Sequence, residues 1–126
     1  MFSIRLSPLA ESDIEGILDW TDKRFGESIR IRYEALLVQA MLDLTEDPKR
    51  VGVELRREIG KGIHSYHLRF SRDHVEKSIG RIRKPRHFVL FRQKSDGVLE
   101  VGRILHDSME LSRHLPPEYQ SDDSDA

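Results

Sequence analysis

The 126-residue sequence predicts an α+β domain built from an N-terminal strand, an antiparallel two-helix hairpin and a three-stranded antiparallel meander. Three observations predict it. Apolar and polar residues alternate at the start of the chain, two stripes with helical spacing follow back to back, and short β-rich runs separated by turn residues fill the second half.

Phe2, Ile4 and Leu6 alternate with Ser3 and Arg5, the period of a strand with one buried face. Ser7 then offers a hydroxyl cap, and Pro8 suits the first helical position, where its missing N–H costs nothing. Ala10, Ile14, Ile17, Leu18, Thr21 and Phe25 keep helical spacing as far as Gly26, a residue suited to ending a helix. A second helix is predicted over 27–46. Its stripe is Ile29, Tyr33, Leu36, Leu37, Ala40, Met41 and Leu44, and Asp47-Pro48 stops it because a residue before proline disfavours the helical region. Two amphipathic helices joined by so short a turn must run antiparallel and bury their apolar faces on a sheet.

After a basic loop with Arg56, Arg57 and Lys61, the turn Gly60-Lys61-Gly62 leads into a predicted strand over 63–70. Residues 71–85 read as a charged loop. The run His87-Phe88-Val89-Leu90-Phe91 predicts a central strand over 86–93, Ser95-Asp96-Gly97 predicts a hairpin turn, and 98–105 is its partner. With 37% hydrophobic residues the chain can bury one core, so residues 1–115 are expected to form a single domain. Pro116-Pro117 and the acidic residues after them are read as a disordered tail, 116–126.

Charge is distributed unevenly behind a formal net of -1. Residues 1–48 carry 5 basic and 10 acidic side chains, whereas residues 49–92 carry 13 and 4. The basic half can meet a polyanion or an acidic protein surface. The absence of cysteine removes disulfides, thiolate metal sites and thiol nucleophiles. No apolar run approaches the roughly 18 residues of a membrane span, and the N-terminus enters a strand directly, so a cytoplasmic protein is expected.

Candidate chemistry is sparse. His64 and His67 have the spacing of a metal pair on a helix, but on a strand they face opposite ways, so neither a metal nor another cofactor is expected. His106, Asp107 and Ser108 hold the letters of a hydrolase triad, yet sequence neighbours do not converge in the required order, and no catalytic residue is assigned. RNA cleavage through the 2′-hydroxyl needs a base, an acid and cations. The sheet half supplies the cations, and His87 and His106 are its best acid and base.

The same elements carry a family resemblance. Leu6-Ser7-Pro8-Leu9-Ala10-Glu11-Ser12-Asp13-Ile14, Phe25-Gly26, the segment Arg83-Lys84-Pro85-Arg86-His87-Phe88-Val89-Leu90-Phe91-Arg92, and the ending Val101-Gly102-Arg103-Ile104-Leu105-His106-Asp107-Ser108-Met109-Glu110 with His114-Leu115 resemble the RelE/ParE superfamily of toxins from type II toxin–antitoxin systems. The resemblance is strongest to the ParE branch and spans about residues 2–115. It implies a toxin that binds DNA gyrase and stabilises the cleaved DNA complex, is neutralised by a ParD-type antitoxin, and is not itself an enzyme. Neither a membrane nor sequence-specific DNA recognition is implied. The RelE branch, which cuts mRNA on the ribosome, is the alternative; the ending Leu105-His106-Asp107 lacks the adjoining tyrosine often found there. On the ParE reading, Arg83, Arg86, Arg92, Arg103 and His106 are the expected target contacts. Ile14, Ile17, Leu18, Tyr33, Leu37 and Met41 are the expected antitoxin contacts, lining a groove for an apolar segment beside a sheet edge open to an added strand. The same side chains also serve the hairpin's own core.

Overall fold

The computed structural model describes residues 1–109 and residue 111. In chain order they form β1 (Ser3–Leu6), α1 (Pro8–Phe25), α2 (Glu27–Glu46), β2 (Glu54–Leu55), β3 (His64–His67), β4 (His87–Ser95) and β5 (Val98–His106). One sheet runs β1-β5-β4-β3-β2. β1 lies parallel to β5 and every other pair is antiparallel, so the predicted meander is present with β1 added along one edge.

The hairpin begins and turns where the sequence predicts. The Ser7 hydroxyl oxygen accepts the Ala10 N–H at 3.0 Å, capping α1, and the hydroxyl donates to the Gly102 carbonyl at 2.7 Å. Gly26 separates the helices at φ 93°, a backbone conformation that favours glycine. Gly102 is itself a bulge: Leu90 pairs with Arg103 and Phe91 with Val101, which leaves Gly102 as an extra residue on β5. The cap of α1 therefore also satisfies a carbonyl that the sheet leaves over.

The hairpin covers one face of the sheet. Leu36, Leu37, Ala40 and Leu44 of α2 pack with Tyr66, Val89, Phe91, Leu99, Val101 and Ile104 to form the main core. On the opposite face Ile59, Ile63, Leu90, Leu105 and Leu111 form a smaller cluster. Helix α1 buries only Ala10 and Thr21 fully, and Phe25, expected in its apolar stripe, is exposed with its ring edge to face on Trp20 at 5.7 Å.

Two expectations differ from the structure. The strand expected over 63–70 pairs only over His64–His67, after which Leu68–Phe70 form a 3₁₀ turn. The cause is local: the His67 Nδ1 accepts the Arg69 N–H at 3.1 Å, a bond that turns the backbone away from the ladder. The loop after α2 also holds the short strand β2, hydrogen-bonded to β3 at the outer edge. The tail expected over 116–126 lies outside the described residues.

A buried carboxylate fixes the loop after β3 to α2. Asp43 accepts from Ser71 Oγ at 2.6 Å, His74 Nδ1 at 2.8 Å, Gln39 Nε2 at 3.0 Å and Arg50 at 2.7 Å, and the Tyr66 hydroxyl donates to Ser71 at 2.7 Å. Burial disfavours its charge, but the hydrogen bonds from Ser71, His74 and Gln39 and the Arg50 charge together hold the carboxyl below its ordinary range.

Candidate functional site

Two surfaces stand out, on opposite sides of α1. The first lies where β4 begins and β5 ends. Cross-strand pairing places His87 opposite His106, with ring centroids 5.4 Å apart. The Tyr33 oxygen accepts the Arg86 N–H at 3.1 Å, so its O–H is directed to the His87 Nδ1 at 2.6 Å. Burial, reinforced by His106, lowers the His87 pKa to about 4, and burial raises that of Tyr33 to about 12. This pair is neutral at pH 7: the tyrosine donates and the imidazole accepts.

Asp107 organises the rim. Its carboxylate takes both Arg86 Nε and Nη2 at 2.9–3.2 Å and the His67 Nε2 at 3.1 Å, while its N–H donates to the Arg86 carbonyl at 2.8 Å. Burial opposes its charge, but Arg86 and His67 keep the carboxyl low; burial also lowers His67, whose Nδ1 accepts from Arg69. A neutral His67 thus donates its Nε2–H to the carboxylate. Ser108 donates through its hydroxyl and N–H to the His106 Nδ1, at 2.7 and 3.2 Å, which leaves the proton on Nε2. His106, Asp107 and Ser108 therefore do meet, yet not as a triad. Serine and carboxylate both approach Nδ1, the latter at 3.7 Å, whereas a hydrolase needs them on opposite nitrogens.

The expected target residues are placed unequally. Arg86 and His106 line one cavity at the strand ends and are the pair that the fold brings together, whereas Arg83 is exposed in the loop before β4. Arg103 is drawn aside by Asp13 in a bidentate pair at 2.7 and 2.8 Å, while the same carboxylate accepts the Ile104 N–H at 2.9 Å. Asp13 thereby takes over from β1, which pairs with β5 only as far as Val101. Arg92 is 8% exposed and ion-paired with Glu100 near the other end of the sheet, away from this group. His64 and His67 lie against Phe91 and Phe88, ring centroids 5.4 and 4.9 Å apart, on opposite faces as the strand period requires. No cluster of three metal-ligating side chains occurs among the described residues.

The second surface is an apolar groove of about 670 Å³ between the helices and the β1 edge. Ile14, Leu18, Leu37 and Met41, four of the six expected antitoxin contacts, line it together with Ile4 and Leu6. Ile17 and Tyr33 face cavities on the other side of α1 instead. Sequence reasoning missed the outer wall of the groove. Ile31, Ala35 and Val38 line it and Leu42 continues the row, at spacings of four, three and four residues, the signal of an apolar seam on a helix. Ile31, Val38 and Leu42 are 44–54% exposed, so α2 presents apolar side chains both inward and outward.

A family model described as "ParE toxin of type II toxin-antitoxin system, parDE" matches residues 4–111. No curated protein sequence matches. Among solved structures, the RelBE2 toxin–antitoxin complex of Mycobacterium tuberculosis shares the fold at 21% identity and a TM-score of 0.52, over 83% of this chain and 96% of that one. With nearly all described elements inside the matched span, the chain belongs to the ParE toxin family of type II toxin–antitoxin systems.

Proposed function

We propose that this chain is a ParE-like toxin that binds DNA gyrase, stabilises the cleaved DNA complex and acts in the cytoplasm until a ParD-type antitoxin neutralises it. The observation that carries the reading is the pair of surfaces on one ParE-family fold. An apolar groove and a basic strand-end face share no residue and are separated by α1. A protein with both a target and an antidote needs two such surfaces, and their chemistry differs as the partners would. The groove, with its outward seam on α2, suits the apolar face of an amphipathic helix, with side chains at three- and four-residue spacing as anchors. Arg86 and His106, with Arg83 exposed in the loop before them, suit an acidic protein surface or the phosphates near it.

A second reading is favoured by one feature. The His87 and His106 rings are 5.4 Å apart and line one cavity with Arg86, which supports this reading because a RelE-like mRNA endoribonuclease requires an acid, a base and a cation. Induced expression in bacteria distinguishes the two. DNA-damage signalling with stalled replication and intact mRNA supports the gyrase reading. Codon-positioned mRNA ends, lost in a His106→Ala variant, support the nuclease.

A further inference from the structure

Beside the strand-end face lies a cavity of about 290 Å³. Trp20, Phe25, Ile29 and Ile82 supply its apolar surface, and Lys84 and Arg86 supply its charge. The Trp20 and Phe25 side chains are exposed, with their rings edge to face at 5.7 Å. Paired exposed aromatics are the kind of surface that interaction sites present.

The polar part of the lining is one-sided. None of its ten residues is acidic, whereas the groove contains Glu34 and Glu76 and an adjoining cavity contains Asp13. Lys84 has no carboxylate partner among the described residues. Arg86 gives Nε and Nη2 to Asp107, which leaves Nη1 without a carboxylate on a side chain that is 58% exposed. His87 and His106 also line the cavity. Each accepts at Nδ1, from Tyr33 and Ser108, so each keeps its ring proton on Nε2.

The lining therefore offers flat apolar rings next to cations and N–H donors. A nucleotide carries the complement in one unit, a flat base joined through its sugar to a phosphate. The cavity lies at the lower edge of the ~300–1,000 Å³ that small-molecule sites span, room for one such unit. A base inside a duplex presents only its edges to the grooves, so the face that an aromatic ring needs is open only in an unpaired strand.

We propose that this cavity holds one unpaired nucleotide of a DNA strand, its base stacked on the Trp20–Phe25 pair and its phosphate met by Lys84, Arg86 and His106. The fit to a nucleotide stands on the cavity; the choice of DNA rests on the proposed function, in which the toxin stabilises a cleaved DNA complex. Stacking and phosphate contacts read no base edge, so binding is independent of sequence. A nucleotide held here is withheld from base pairing, and a break whose strand cannot pair reseals slowly.

Trp20 is the chain's only tryptophan, so its fluorescence reports the site directly in the full-length protein. A single-stranded oligo(dT) of about ten residues is expected to quench it saturably, with affinity roughly sevenfold weaker at about 200 mM than at about 50 mM salt, the slope for two phosphates neutralised on a single strand. Phe25→Ala is expected to weaken binding at least roughly fivefold through lost stacking, and Lys84→Ala to cut the salt slope to roughly half. Both side chains are exposed, so the variants stay folded, which circular dichroism checks. Absence of quenching at low salt overturns the proposal, as does quenching that neither variant weakens. Equal affinity for a duplex of the same length overturns the unpaired nucleotide. Tighter binding of oligo(rU) replaces DNA with RNA, and equal quenching by polyglutamate replaces the nucleotide with an acidic protein segment. Oligo(dT) binding by a protein that leaves gyrase supercoiling intact upholds the site and overturns the gyrase reading, so the two failures are told apart.

Discussion

Asp43 and His87 set how the chain responds to substitution and to acid. Removing the Asp43 carboxylate strands Ser71, Gln39, His74 and the Arg50 guanidinium in one step. Asp43→Ala is expected to lower unfolding stability by roughly 3 kcal/mol, read from urea midpoints, because a cation and several donors lose a buried partner. His87 acts through protons. It binds its proton near pH 6.5 when unfolded but only near pH 4 when folded, so in that window the unfolded state takes up the proton alone. Its contribution is therefore fully favourable above about pH 6.5 and is lost as pH falls toward 4. His67 and His64, also lowered by burial, add to the same slope, whereas Asp43 and Asp107 lose their contributions at lower pH, as each carboxyl protonates below its ordinary range. A His87→Gln variant, which keeps an acceptor for Tyr33, is expected to flatten urea midpoints between pH 6.5 and 4. An unchanged slope assigns the titration to the other histidines. These residues were only partly legible. His87 and His106 stood out as the best acid and base of the sheet half, and Asp107 only as one letter of a rejected triad, whereas Asp13 and Asp43 carried no sequence signal of their buried or bidentate roles. Their partners on other elements, among them Ser71 for Asp43, Arg86 and His67 for Asp107 and Ile104 for Asp13, lie 21 to 91 positions away, and sequence spacing reports only neighbours on the same element.

At the scale of elements, the hairpin and the β4–β5 meander were legible because their signals are local: Ser7-Pro8, Gly26, Asp47-Pro48 and Ser95-Asp96-Gly97 each act within a few residues. Ser7 has a second role that no local signal carries, since its hydroxyl also bonds the bulged Gly102 carbonyl. Ser7→Ala is expected to cost about 2 kcal/mol, the upper part of the range for a cap, because it also leaves a buried carbonyl without its donor. A loss of only a few tenths would show the bulge bond to be dispensable. Parallel pairing of β1 with β5 and the two-residue β2 were not legible, because register between distant strands is set by the packed fold and not by composition. The outward seam of α2 was legible in principle and passed over, masked by the stronger inward stripe. Val38 is 54% exposed on the groove wall, so Val38→Arg is expected to leave the melting temperature nearly unchanged. Titration of a ParD-type antitoxin should then show affinity at least roughly tenfold weaker, as expected when a charge enters an apolar anchor site.

Across the whole molecule, the split between an acidic first part and a basic middle resolves into two faces of one fold. The helical hairpin supplies the apolar groove, and the end of the sheet gathers Arg86 and His106. Of the arginines expected on the basic face, Arg92 and Arg103 are engaged by Glu100 and Asp13 with little exposure, while Arg86 stays exposed although it pairs with Asp107, and only geometry distinguishes these cases. The most direct test of the gyrase reading adds purified protein to gyrase and relaxed plasmid, scoring supercoiled and linear DNA together, alongside an Arg83→Ala, Arg86→Ala variant. Loss of supercoiling with accumulation of linear DNA, needing roughly tenfold more of the variant, is the expected result, since each lost charge-assisted contact costs about 1 kcal/mol or more. Full supercoiling at a molar excess of the unmodified toxin, with no linear product, would contradict the gyrase reading.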